Sequence, residues 1–380
     1  MRQSVSTATS PSDGARDPAL DGVRGLAVAL VLLFHCFTPE ALSPISTAFS
    51  ALFGSLFIGV DLFFILSGFL ITGILVRTRR QPGYFSHFIL RRALRIFPAY
   101  FLVLLAVLLL GPLALARFPG AELWQQSPWF FLFAQNWMMA ISQQGAAWPG
   151  LNHFWSLAIE EQFYLFWPLV VWFTPPKRMA AVCLATAALS VALKLALLIG
   201  GAHWLVLYTA TPAHMEGLAL GGLIAVLLQQ QQLSSVPRWV HALGALSALV
   251  LLALICSRSG YKLGSAPQLA LHNLFAALSF AWLLLLLVGP GPAALRLLLS
   301  QATLRWLGQY SYGIYLIHYA IYWPLKSGMA ALLPDLPVNL AILLLGVAVT
   351  ALTLLLAVAM YHAVEMPAQN LARSRPALRA

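Results

Sequence analysis

The chain has 380 residues, of which 61% are hydrophobic and 9% are charged, and its formal net charge is +11. A soluble protein of this length carries about 25% charged residues, so this composition excludes a chain of soluble domains, which could not hide so much apolar surface from water. It predicts an all-α membrane protein, because a spanning helix needs ~20 apolar residues and few charges.

Apolar stretches of spanning length recur along the chain. Residues 1–19 contain no apolar core segment, so they predict a disordered cytoplasmic tail and no cleavable signal peptide. A transmembrane domain is predicted over residues 20–366, and residues 367–380 are expected to form a second cytoplasmic tail. The ten predicted spans cover residues 20–38, 54–76, 93–114, 156–174, 178–200, 214–230, 237–256, 268–289, 310–328 and 338–361.

The basic residues predict the orientation of these spans. Cytoplasmic loops carry an excess of Lys and Arg, and most basic residues lie inside if the N-terminus is cytoplasmic and the ambiguous stretch 124–141 does not cross. If that stretch crosses, Lys177 and Arg178 lie outside and the bias inverts. We therefore predict both termini in the cytoplasm, with residues 112–155 as an outer loop that contains a re-entrant or surface segment. The orientation of the spans therefore explains the positive net charge, and no nucleic acid partner is expected.

The first span contains two ionisable residues, which are energetically costly inside a membrane and therefore indicate a specific role. Arg24 and His35 are eleven residues apart, about three turns, so they share one face and lie ~16 Å apart along the axis. This register indicates a polar track through the bundle. A histidine that bonds a neighbouring helix is the alternative for His35.

Asp61 and Ser67 belong to the second span. Asp61 is expected near the outer end of its helix, close in depth to His35, where a carboxylate would orient the imidazole and raise its basicity. A role at the helix mouth, as a cap or a hydrated group, is equally compatible with the sequence. Ser67 and the neighbouring glycines permit close helix contact.

Three arginines precede the third span. Arg91 and Arg95 are one turn apart, and Arg92 and Arg95 are also on adjacent turns. Such a group of guanidiniums suits a phosphate-bearing ligand through bidentate hydrogen bonds. Membrane anchoring on anionic lipid is the alternative.

Two later stretches add candidate site residues. Glu160 and Glu161 open an apolar span at its predicted outer end, and neighbours on a helix point about 100° apart, so at most one should face the core. That one is a candidate general base or histidine partner, and compensation of the helix N-terminus is the alternative. Ser311, Tyr315 and His318 share a face by spacings of four and three, so they either line one cavity or bond between helices.

These stretches together resemble the acyltransferase 3 family of bacterial membrane O-acyltransferases. Five motifs appear in the family's order over residues 18–370. They are Leu20-Asp21-Gly22-Val23-Arg24-Gly25 with His35; the run Gly59–Thr72; Arg92-x-x-Arg95 with Pro98 and Tyr100; Phe154-Trp155-Ser156-Leu157 with Glu160-Glu161-Gln162-Phe163-Tyr164; and Ser311-Tyr312-Gly313-Ile314-Tyr315-x-x-His318. Val364-Glu365-x-Pro367 follows them.

The resemblance implies a bundle of about ten helices in which His35 is the catalytic histidine and Arg24 supports it or the donor. It implies that Arg92 and Arg95 bind acyl-CoA as the donor substrate. The spacing of the three arginines adds Arg91 as a further expected contact of the donor phosphates, and no metal is expected. Substrate contacts are expected at five further positions, namely Ser67, Trp155, Ser311, Tyr315 and His318. Some relatives carry a C-terminal esterase-like domain, and none is expected within this sequence.

The residue patterns and the family resemblance together predict transfer of an acyl group, expected to be acetyl. The donor would be cytoplasmic acyl-CoA, and the acceptor would be a hydroxyl of an extracytoplasmic carbohydrate or glycolipid. The chain would act in the bacterial cytoplasmic (inner) membrane with the lipid bilayer as its solvent. A transporter or flippase is the alternative, because it also uses buried charged residues. The paired broken helices typical of many transporters are not evident in the sequence.

Overall fold

The computed structural model of the chain describes residues 17–37, 53–114, 119–233, 236–256 and 265–374. Every regular element in these residues is helical, as predicted. The α-helices are α1 Pro18–Phe37, α2 Gly59–Thr78, α3 Tyr84–Ala114, α4 Gly120–Phe131, α5 Gln135–Ser142, α6 Trp155–Phe173, α7 Met179–Ile199, α8 Trp204–Thr209, α9 Met215–Gln229, α10 Arg238–Cys256, α11 Ala266–Val288, α12 Ala293–Leu299, α13 Ala302–Leu332, α14 Val338–Met360 and α15 Met366–Ser374. Short 3₁₀ turns at Leu56–Ile58, Pro149–Phe154, Pro176–Arg178 and Thr211–Ala213, and a π turn at Tyr361–Glu365, join some of them.

All ten predicted spans coincide with a helix, and the protein is an all-α, multi-pass membrane protein. Within the described residues, seven helical segments are long and apolar enough to cross a bilayer, and they contain α1, α2, α3, α7, α10, α11 and α14. The other three predicted spans lie on α6, which carries two glutamates, on α9, which has 15 residues, and on α13, which is rich in polar and aromatic side chains. The number of ten crossings and the cytoplasmic termini stay predictions.

The outer surface of the bundle is apolar, as a lipid-facing surface must be. Phe173 is 77% exposed and Ile199 is 86% exposed, whereas Asp61, Lys194 and Glu216 are buried. This arrangement is the reverse of a soluble protein, in which charged side chains are almost never buried. It follows that the helices bury their polar groups against one another inside the bundle.

The ambiguous stretch 124–141 does not form one crossing helix. It is divided between α4, which has 12 residues, and α5, which has 8. Their lengths of ~18 Å and ~12 Å are well short of the ~30 Å hydrocarbon core. The break lies at Phe133, whose φ of 51° interrupts the helical path.

The two predicted tails differ from expectation where the structure describes them. Helix α1 begins at Pro18, with a carboxylate oxygen of Asp17 accepting a hydrogen bond of 2.9 Å from the backbone N–H of Ala19. Proline at the first helical position and an acidic cap before it are both favourable for helix initiation. Residues 1–16 and 375–380 lie outside the described residues, and Met366–Ser374 of the second tail is helical.

Close contact between α1 and α13 positions the functional site. A side chain at Gly25 would collide with the carbonyl of Leu304, and one at Gly308 would collide with the carbonyl of Asp21. Because neither glycine has a side chain, the two helix backbones approach each other directly. The polar face of α1 is thereby pressed against α13.

Candidate functional site

The polar face predicted on α1 contacts α13 at two depths. The Arg24 Nη2 donates to Ser311 Oγ at 3.0 Å, and His35 Nδ1 lies 3.1 Å from His318 Nε2. Arg24 and His35 therefore share one face of α1, as their spacing predicts. His35 also contacts a neighbouring helix, as the alternative considered for it requires.

A first cavity, the arginine chamber, lies at the Arg24 end of this face. Its polar lining consists of Arg24, Ser67, Arg92, Arg95, Ser156, Glu160, Glu161, Tyr164, Ser311, Tyr312 and Tyr315. Three guanidiniums against two carboxylates give it an excess of positive charge, which suits an anionic ligand.

Tyr164 organises this chamber, although no expectation was attached to it from the sequence. Its hydroxyl bonds Ser67 Oγ at 2.5 Å, and the Arg92 guanidinium lies over its ring, 5.4 Å from the centroid. A cation over an aromatic face is attracted by the ring quadrupole. The signal that could have found Tyr164 is its spacing of four from Glu160, which puts both on one side of α6.

Arg91 is not part of the chamber lining, contrary to the prediction that all three arginines form one group. Its side chain is exposed, while Arg92 and Arg95 are half-buried and line the cavity. Adjacent residues of a helix point about 100° apart, so Arg91 and Arg92 need not share surroundings although both lie about one turn from Arg95. The packing of the other helices encloses Arg92 and leaves Arg91 at the surface.

Glu160 and Glu161 both line the arginine chamber, so the expectation that at most one faces the core is wrong. The chamber is wide enough to meet side chains 100° apart on α6. Both glutamates lie beyond the first turn of this helix, which begins at Trp155, so compensation of the helix N-terminus is not their role. Their charged neighbours are arginines, and the expected contact with His35 is absent among the described residues.

A second cavity, the histidine chamber, lies at the other end of the α1 face. Its polar and aromatic lining consists of Phe34, His35, Phe57, Asn152, His153, Trp155, Trp204, Tyr208, Tyr315 and Tyr319. It contains none of the arginines of the first cavity. Its walls are mainly flat aromatic rings, including Trp155 against Tyr208 at a centroid separation of 4.6 Å.

Tyr315 forms the partition between the two chambers. It lines both cavities, as does Val60. Its hydroxyl bonds Ser156 Oγ at 2.5 Å and donates to the His153 carbonyl at 3.0 Å. The two cavities are thus neighbours that share two wall residues, and the hydrogen-bonded Tyr315 is the polar one.

Three of the nine histidines of the chain lie together beside the histidine chamber, where His35 and His153 line the cavity and the buried His318 contacts both rings. The ring of His153 lies 4.8 Å from that of His318 and 6.1 Å from that of His35. The sequence motifs predict no role for His153, although it stands two residues before Trp155. Burial lowers the pKa of the His153 imidazole well below its usual 6.5, and the nearby His318 and His35 lower it further, so the ring is neutral at pH 7.

Ser311, Tyr315 and His318 have different surroundings despite sharing a face of α13. Ser311 and Tyr315 line the arginine chamber, whereas the buried His318 contacts His35. Trp155 lines the histidine chamber and Ser67 the arginine chamber. Four of the five predicted substrate contacts therefore lie in the walls of the two cavities, and His318 lies behind His35 and lines neither.

Asp61 does not contact His35, so its predicted orienting role is wrong. Its two carboxylate oxygens accept hydrogen bonds from Asn273 Nδ2 at 3.1 and 3.2 Å. A buried ion pair between Lys194 and Glu216 lies nearby, and Ser190 donates to the same glutamate. The side chain facing His35 comes instead from α13, which approaches α1 more closely because of the glycine contacts.

Comparisons with known proteins point to one family. The family model described as an acyltransferase domain matches residues 17–362. The peptidoglycan O-acetyltransferase OatA of Listeria monocytogenes is 31% identical over 323 residues, covering 80% of this chain and 49% of the relative. The O-acetyltransferase OatA of Staphylococcus aureus is 30% identical over 324 residues, covering 80% of this chain and 50% of the relative. The chain thus spans about half the length of these relatives, and no solved structure matches it.

Proposed function

Because the chain belongs to the acyltransferase family whose model covers residues 17–362, we propose that it is a membrane O-acetyltransferase of the bacterial cell envelope. The donor is acetyl-CoA on the cytoplasmic side, and the acceptor is a hydroxyl of an extracytoplasmic carbohydrate, with peptidoglycan as the first candidate. The observation that carries this proposal is the pair of adjacent chambers, one cationic and one lined by histidines, on a single helix face.

The arginine chamber is the proposed donor site. Arg92 and Arg95 bind the phosphates of the donor substrate, and Arg24 lies deeper, at the end of α1 nearest the predicted cytoplasmic N-terminus. Guanidinium groups bind phosphate oxygens through charge-assisted hydrogen bonds. Glu160 and Glu161 lie beside these arginines, where they keep the guanidiniums in position while the chamber is empty.

The histidine chamber is the proposed reaction and acceptor site. His35 lies at its wall as a neutral imidazole, able to remove a proton from an acceptor hydroxyl or to take the acetyl group itself. The aromatic walls suit the apolar face of a sugar ring, and Trp155 belongs to them. The thioester reaches His35 by passing Tyr315, whose side chain must move.

The test is transfer by the purified protein in lipid nanodiscs. Radiolabelled acetyl-CoA and soluble peptidoglycan fragments are supplied, and labelled fragments are counted. The expected result is transfer by the wild type, none by His35→Ala, and wild-type transfer by the exposed His362→Ala control. Full turnover by His35→Ala would remove the catalytic role of this residue.

A second measurement separates the enzyme from a transporter or flippase. Acceptor-dependent release of CoA is followed with no membrane gradient present, and a pure transporter would show none. Label retained on the protein without acceptor would indicate an acetyl-histidine intermediate, whereas its absence with normal turnover would indicate direct transfer.

A further inference from the structure

His35 and His318 make a direct contact between their rings that defines the proton positions of both. His318 Nδ1 lies 2.8 Å from the Tyr315 carbonyl and 3.1 Å from the Ile314 carbonyl. A carbonyl oxygen can only accept a hydrogen bond, so Nδ1 of His318 carries the proton. In the neutral ring, Nε2 of His318 is then an acceptor.

The partners of His35 define its proton position as well. Its Nδ1 lies 3.1 Å from Nε2 of His318 and 3.1 Å from the Val31 carbonyl, and both are acceptors. Nδ1 of His35 therefore carries the proton, and its Nε2 has the lone pair. Among the described residues, no hydrogen bond is made by that Nε2, although the ring lines the histidine chamber.

Of the two acceptors, only His318 comes from another helix. The Val31 carbonyl also accepts the backbone N–H of His35 within α1, as helix geometry requires. His318 is buried, and its ring is fixed by the two carbonyls of its own helix. It is therefore a rigid acceptor that determines both the orientation of the His35 ring and which nitrogen is available.

We infer that His318 is a positioning residue, which keeps His35 in the Nδ1–H form so that Nε2 is the reacting atom. This inference rests on the proposed function of His35. In direct transfer, Nε2 takes the acceptor proton while the hydroxyl oxygen bonds the thioester carbon and the carbon–sulfur bond breaks. The thiolate then takes that proton, which releases CoA and restores the neutral imidazole. While His35 is cationic, its Nδ1–H bond to His318 is charge-assisted and therefore stronger.

The pair has few ionisable neighbours. His153 faces His35 from the 3₁₀ turn Pro149–Phe154, and Tyr319 faces His35 from α13 at a ring-centroid separation of 4.4 Å. The arginines and glutamates line the other cavity, beyond Tyr315. No carboxylate among the described residues takes the orienting role that His318 has here.

The kinetic test compares two substitutions of His318. Gln retains an acceptor oxygen near the former Nε2, whereas Phe retains only the ring shape. In the serine protease triad, loss of the group that fixes the histidine tautomer lowers kcat by ~10⁴. A neutral partner should matter less, so we expect His318→Phe to lower kcat by ~10–100-fold with little change in either KM. His318→Gln should recover part of this loss, and the exposed His362→Phe serves as the control.

Two kinetic results would overturn the inference, namely an unchanged kcat in His318→Phe, or equal losses in the Phe and Gln variants. A spectroscopic readout covers the case in which the variants do not fold. The ¹⁵N shifts of labelled histidine in wild-type protein, with His35 assigned from a His35→Gln sample, report which nitrogen is protonated. The Nδ1–H form is expected, and an Nε2–H form would refute the inference. This measurement does not depend on turnover, so it separates failure here from failure of the proposed function.

Discussion

Replacing Arg92 by Ala tests the donor chamber, because the neighbouring Arg91 provides a matched control. Both are arginines at the same end of α3, but only Arg92 lines the chamber, with its guanidinium over the Tyr164 ring. A hydrogen bond to a charged group contributes ~1.5–3 kcal/mol. At 1.4 kcal/mol for each factor of ten, one lost phosphate contact should weaken donor binding ~10–150-fold.

The assay measures KM for acetyl-CoA and for the acceptor separately in nanodiscs. Arg92→Ala should raise the donor KM and leave the acceptor KM within about threefold, while Arg91→Ala should change neither, since its exposed charge is screened. Donors that lack one phosphate, such as 3′-dephospho-CoA, locate the contact. If Arg92 binds that phosphate, the substitution should have little further effect on the shortened donor.

Equal increases of the donor KM in Arg91→Ala and Arg92→Ala would refute a specific contact between Arg92 and the donor. That result would assign the arginines to general attraction by the membrane surface. A rise in the acceptor KM alone would place the acceptor in the arginine chamber and reverse the two sites.

Three further substitutions test the partition and the packing. Tyr315→Ala should join the two chambers and raise acceptor-independent hydrolysis of acetyl-CoA relative to transfer, and an unchanged ratio would contradict the partition. Lys194→Met leaves Glu216 buried without its cationic partner, so the free energy of unfolding should fall by ~3–5 kcal/mol. A lower melting temperature in detergent would show this loss. The double substitution Lys194→Met, Glu216→Gln should recover part of the lost stability. Gly25→Leu should separate α1 from α13 and abolish folded yield and transfer, whereas Gly328→Leu, where an added Cβ meets no atom within 4 Å, should be tolerated.

Helical periodicity correctly predicted the features that depend on a single helix. The ten predicted spans coincide with helices, and the shared face of Arg24 and His35 is confirmed, because both depend on distances along a single helix. The same periodicity could not choose between Arg91 and Arg92, because both lie about one turn from Arg95, and only the surrounding helices place Arg92 in the chamber wall.

Contacts between helices could not be predicted in this way. Asp61 was expected beside His35 from its depth, but depth does not say which side of a neighbouring helix faces a given residue. The partner of Asp61 is Asn273, more than two hundred positions later, and the side chain that contacts His35 is His318. The division of Ser311, Tyr315 and His318 between two environments is also a property of the surrounding helices.

Composition, hydropathy and short motifs are local properties of the chain, so they were enough to predict a helical protein of the lipid bilayer and its family. The division of the polar groups between two chambers, with Tyr315 in the walls of both, follows from the packing of the helices. That arrangement depends on glycine contacts between α1 and α13, where missing side chains let two backbones approach. Such an approach is a relation between distant segments, and no single segment encodes it.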